Sequence, residues 1–125
     1  MGTHAMIGIV NQDGSVDASY VHYDGYLEGV GRTLVENYNT LYDAEVVAKG
    51  GYMSALYPDY VTTRKEAVHN EPSVPYLSVE QFMKNGYDYA GADYLYLFDG
   101  EIWFFASNYG ERRFEEVEMN LKNVA

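Results

Sequence analysis

Residues 92–107 read ADYLYLFDGEIWFFAS. Two runs dense in aromatic residues, Ala92 to Phe98 and Glu101 to Ser107, flank Asp99-Gly100, and Asp-Gly suits a two-residue hairpin turn because its glycine takes positive φ at no steric cost. The spacing predicts a β-hairpin. A second one is expected at the other end of the chain. There Met6-Ile-Gly-Ile-Val10 is a short apolar run and Asn11-Gln-Asp-Gly14 supplies turn residues. Ser15 to Tyr23 then alternates, with Val16, Ala18, Tyr20 and His22 on one face, which places strands near 5–11 and 15–23.

Between the hairpins the period changes. Val30, Leu34, Val35, Tyr38, Leu41 and Tyr42 recur at helical spacing, giving a helix from about 28 to 38. Asp43 to Lys49 reads as a second short helix that Gly50-Gly51 terminates. Ser78-Val-Glu-Gln81 has the capping-box pattern ahead of Phe82, Met83 and Tyr87, so a helix is expected near 78–86, stopped by Gly86. Residues 51–76 hold all three prolines and few periodic apolar residues, and read as a long loop. Residues 112–121 add a short strand or a terminal helix. The fold class is α+β: an antiparallel sheet from two β-hairpins packed with two or three short helices, in a single domain over residues 1–125.

The composition narrows the function. Apolar residues make up 47% of the 125 and aromatic residues 16%, enough for a core, while 19 acidic and 8 basic side chains leave a net charge of −11. The charge is spread evenly, −6 over residues 1–62 and −5 over 63–125. Such a surface repels phosphate backbones, so direct nucleic-acid binding is not expected. No apolar run reaches the length of a membrane span and no secretory signal is visible, which makes a cytoplasmic location the expectation. The chain has no cysteine, hence no disulfide and no thiolate chemistry, and its three histidines, at 4, 22 and 69, show no metal-ligand spacing. No cofactor or metal is expected.

Three constellations remain. The stretch His22-Tyr-Asp-Gly-Tyr-Leu-Glu-Gly-Val-Gly31 sets His22, Asp24 and Glu28 close in sequence, where an acid and a base would work together. The simpler reading makes Asp24-Gly25 a turn, Glu28 a carboxylate in the first helical turn, and Gly29 and Gly31 points of close packing. Fourteen tyrosines form the second. Tyrosine supplies contact area at low entropy cost, and Tyr23, Asp24, Tyr26, Glu28, Tyr52, Tyr57 and Tyr60 are the candidate interface residues, with Tyr76 in the same loop set. The third is Asn108, Tyr109, Arg112 and Arg113, guanidinium forks beside an aromatic face, which together with His22 would bind an anionic small ligand.

Met1-Gly-Thr-His-Ala-Met-Ile-Gly-Ile9, Tyr20-Val-His-Tyr-Asp-Gly-Tyr-Leu-Glu-Gly-Val-Gly31 and the hairpin from Tyr94 to Phe105 resemble a family of small bacteriophage proteins. Its members begin Met-Gly-Thr-Arg-Ser and carry a His-Trp-Asp-Gly-Tyr core. This chain departs from that pattern at His4-Ala5 and at Tyr23. The resemblance implies a phage origin and no assigned enzymatic activity. The leading expectation is therefore a non-enzymatic protein that binds and disables a basic or nucleic-acid-binding host protein through its acidic, tyrosine-rich surface, by imitating a phosphate backbone in one version. The alternatives are a sponge for a nucleotide signal, and an enzyme built on His22 and Asp24. Open sheet edges and aromatic faces also favour a homo-oligomer.

Overall fold

A computed structural model describes residues 2–122. The chain forms an α+β fold whose centre is a six-stranded sheet in the order β3-β2-β1-β4-β5-β6. β1 (Ala5–Val10) and β2 (Val16–Val21) make the first hairpin. β4 (Tyr94–Phe98) and β5 (Trp103–Ser107) make the second. The hairpins are antiparallel inside, but the seam joining them is parallel: β1 pairs β4 from Ala5↔Tyr94 to Ile9↔Phe98. The sheet is thus mixed where an antiparallel one was expected. Both faces of β1 are covered, Ala5, Ile7 and Ile9 lying in one core layer and Met6 in the other, which is why it reads as an uninterrupted apolar run.

Both turns are longer than the Asp-Gly signal implied. Phe98 faces Trp103, leaving four residues in the second loop, because the Asp99 carboxylate accepts from the amides of Glu101 (2.9 Å) and Ile102 (3.0 Å) and folds the turn around its own side chain. In the first loop Asp13 does the same for Ser15 (3.0 Å).

The alternation of each strand divides the core into two layers. One face, with Ala5, Ile7, Ile9, Val21, Tyr96, Phe98 and Trp103, is covered by a π-helical turn Leu27–Gly31 that runs into α1 (Arg32–Asn37), by α2 (Leu41–Lys49) and by α5 (Val117–Lys122). Trp103 is buried here and its indole N–H donates to the Tyr38 carbonyl at 2.9 Å, fastening β5 to the end of α1. The other face, with Met6, Val16, Ala18, Leu95 and Leu97, is covered by α4 (Val79–Asp88). Burying aromatic and branched side chains of this size contributes roughly 1.5–3 kcal/mol each.

Local signals account for the helix starts. Thr40 caps α2 by accepting from Asp43 N, and Ser78 caps α4 by accepting from Gln81 N. The Gln81 side chain reaches back one residue further than a standard capping box, to the amide of Leu77 (2.7 Å). Gly86 does not stop α4; it is buried within it, where a Cβ would meet Leu95 Cδ2 at 2.6 Å, so the glycine lets the helix sit close on the sheet.

Residues 51–76 are not a structureless loop. They contain α3 (Tyr60–Lys65), capped by Asp59, and β3 (Val74–Tyr76), which pairs with β2, while Met53 bridges Val21. β3 is three residues long with Pro75 at its centre, and β6 (Glu115–Glu116) is two carboxylates long; short, charged or proline-bearing strands discourage further strand addition.

Candidate functional site at one end of the sheet

Because β1 and β4 run parallel, their first residues emerge at one end of the sheet, and the antiparallel β2 and β5 finish there. His4, the segment from His22 to Tyr26, Met53-Ser54, Asp93 and Asn108-Tyr109 are brought together by topology alone. Asp93 organises this end: its carboxylate accepts from the His4 amide (2.9 Å) and from the Tyr109 hydroxyl (2.9 Å). That hydroxyl bond holds Tyr109 above the ordinary tyrosine range.

The strand ends at Val21, yet the chain beyond it is pinned on two sides. His22 N and Tyr23 N donate to the carbonyls of Met53 (3.1 Å) and Ser54 (2.9 Å). On the other side Gly25 N donates to Thr3 O (2.8 Å), and His4 Nδ1 donates to His22 O (2.7 Å). From below, the buried Tyr96 hydroxyl donates to Gly25 O at 2.7 Å, and burial lifts Tyr96 well above the ordinary range. A Cβ on Gly25 would lie 2.8 Å from Thr3 O, and one on Gly29 would collide with the Asp24 carbonyl, the acceptor of Val30 N. The glycines of this stretch serve close approach. Asp24, not Gly25, adopts the left-handed conformation, with φ 60°.

This framework holds Tyr23 and Tyr26 out in water, 51% and 42% exposed, with the exposed carboxylates of Asp24 and Glu28 between and beyond them. The other interface candidates are placed differently. Tyr52 is 8% exposed, Tyr76 is buried, Tyr60 is half-buried against the core and Tyr57 is half-buried. Position in an irregular stretch did not imply exposure, because β3 and α3 fold that stretch onto the sheet. Tyr42 and Tyr89, at helix ends, are instead fully displayed.

His22 does not pair with Asp24 or Glu28 among the described residues. Its Nδ1 lies 3.1 Å from the Tyr20 hydroxyl; its ring stacks on His4 (4.5 Å between centroids) and meets Tyr23 edge-on (4.6 Å). Tyr20 in turn stacks on Tyr52 (5.8 Å), and His69 meets Tyr52 edge-on (5.0 Å). Burial, followed by the neighbouring Tyr52, raises the Tyr20 hydroxyl. All three histidines thus join one chain of rings, a cluster hidden by sequence separation. A groove of about 450 Å³ opens beside it, lined by Met6, Tyr20, His22, Tyr52, His69, Glu71, Val74 and Ala90. Among the described residues no three His, Asp or Glu side chains are grouped to hold a metal.

The anion-binding set is divided. Arg112 donates to Asn108 Oδ1 (2.9 Å), lies 3.7 Å from Asp88 and covers the Tyr87 ring at 4.5 Å. Arg113 pairs with Glu111 at 3.2 Å and, with Tyr109, lines a separate cavity of about 370 Å³. His22 lines the groove, on neither of these. Comparison of the chain with family models, curated proteins and solved structures finds no match.

Proposed function

We propose that this is a non-enzymatic binding protein whose exposed loop, Tyr23 to Glu28, engages a basic host protein in a bacterial cytoplasm. The observation that carries the reading is the pinned loop itself: two tyrosines and two carboxylates are held in water by a frame of buried hydrogen bonds. A backbone fixed in this way loses little further entropy on binding, and a tyrosine ring has few rotamers to lose. The net charge of −11 would steer a basic partner toward them at rates that fall as salt is added. The phage resemblance supports the same reading. This chain departs from the family pattern at His4-Ala5 and at Tyr23, so no role that rests on the family's arginine or tryptophan is carried over; the His4 and Tyr23 rings flank His22. A nucleotide sponge stands behind this reading because both arginines already have carboxylate partners.

The test is capture from bacterial lysate on the immobilised protein, with a rising salt gradient. A basic protein released by salt, and lost from a Tyr23→Ala/Tyr26→Ala variant that keeps its melting temperature, is the expected result. A retained nucleotide without a protein would transfer the function to the arginine cavities. Equal capture by the variant would sink the loop.

A further inference from the structure

We infer that the groove beside His22 is a receptor for an arginine side chain of the basic partner. The inference takes its source of arginine from the reading above, but the groove is a second site with its own chemistry. Its far wall is built in advance: Val68 N donates to Ser54 Oγ (3.1 Å), Tyr52 N donates to Glu71 O (2.8 Å) and Arg64 Nη1 donates to Tyr52 O (2.8 Å) before the chain enters β3. These bonds hold His69 and Glu71 in one lining with Tyr20 and His22 although residues 66–73 form no helix or strand.

The lining selects a planar cation. Glu71 is its one carboxylate, and among the described residues no lysine or arginine lines it; the nearby Arg64 donates to the Tyr52 carbonyl. Among the described residues the Glu71 carboxylate, the Tyr52 hydroxyl and the His69 ring make no hydrogen bond. The groove therefore offers free acceptors and aromatic surface together. An anion finds no lysine or arginine in the lining and meets a carboxylate. A guanidinium has donors only, stacks on aromatic rings and sheds water more readily than an ammonium, so it matches the groove better than lysine does. The domain's negative field raises the local concentration of either.

The probe is N-acetyl-arginine-methylamide, titrated at low ionic strength while the side-chain resonances of His22, His69 and Tyr52 are followed. The citrulline analogue has the same shape without the charge. We expect shifts confined to these residues, a dissociation constant of the order of 1 mM, and binding about tenfold weaker for the citrulline and lysine analogues and for Glu71→Gln, whose exposed side chain is not needed for folding. Equal binding of arginine and citrulline analogues, no binding, or an unchanged Glu71→Gln would overturn the inference. Partner capture should also weaken in Glu71→Gln, and undiminished capture overturns it. The titration uses neither the partner nor the loop, so its failure removes the groove alone, and failure of the Tyr23→Ala/Tyr26→Ala experiment removes the loop alone.

Discussion

Asp24 holds a conformation that costs an L-residue roughly 1 kcal/mol, and among the described residues its carboxylate makes no hydrogen bond that would offset it. The Asp24 carbonyl accepts from Val30 N (3.0 Å), a bond that needs the backbone conformation but not the side chain. Asp24→Gly should therefore raise stability by about 0.5–1 kcal/mol in urea denaturation while weakening capture of the basic partner. A variant that loses stability would show that the aspartate is structural. Asp24-Gly25 was read as a turn, but residues 24 and 25 carry no hydrogen-bonded turn, and which of the two would take positive φ was not legible either, because Gly25 is reserved by the approach of Thr3, a contact made across more than twenty residues. His4 and His69 were unreadable as parts of a site for the same reason: nothing within a few residues of either points to the ring it meets.

At the scale of elements, α4 sets two effects against each other. Gly86→Ala improves helix propensity by about 1 kcal/mol, yet the added methyl would sit 2.6 Å from Leu95 Cδ2 in a packed layer with Phe82 and Leu97. Overpacking of that kind costs typically 1–3 kcal/mol, so a net loss of about 0–2 kcal/mol is expected by urea denaturation, with helix content by circular dichroism unchanged. A gain would mean that α4 rides freely on the sheet. The elements themselves divide by the range of their causes. Hairpins, helix caps and the amphipathic faces were legible, since each depends on residues a few positions apart. The parallel seam between β1 and β4 was not, because nearly ninety residues separate its partners and no turn chemistry announces it. β3 and α3 were missed because Pro75 and the exposed Val61 break the patterns by which short elements are recognised.

For the whole molecule, the tyrosines link stability to alkaline pH. Burial is the main cause that lifts Tyr20, Tyr38, Tyr76, Tyr87 and Tyr96 above the ordinary value of 10, and Tyr96 is both the most enclosed and the one whose hydroxyl braces the loop at Gly25. A group whose folded value is raised keeps its proton in the native state after the unfolded chain has released it. Stability is therefore full below about pH 10 and falls as pH rises toward the folded values. Tyr96 alone should contribute a slope of about 1.4 kcal/mol per pH unit above 10. Tyr96→Phe separates its two roles. At pH 8 the variant lacks the donor to the Gly25 carbonyl and should be about 1–3 kcal/mol less stable than the parent. Above pH 10 only the parent bears the growing cost of keeping that phenol neutral, so the difference should shrink as pH rises. Urea midpoints of both proteins from pH 8 to 12 measure this directly. Parallel lines across that range would show that the Tyr96 hydroxyl ionises freely, and that the loop's brace is not the buried bond on which its rigidity has been argued.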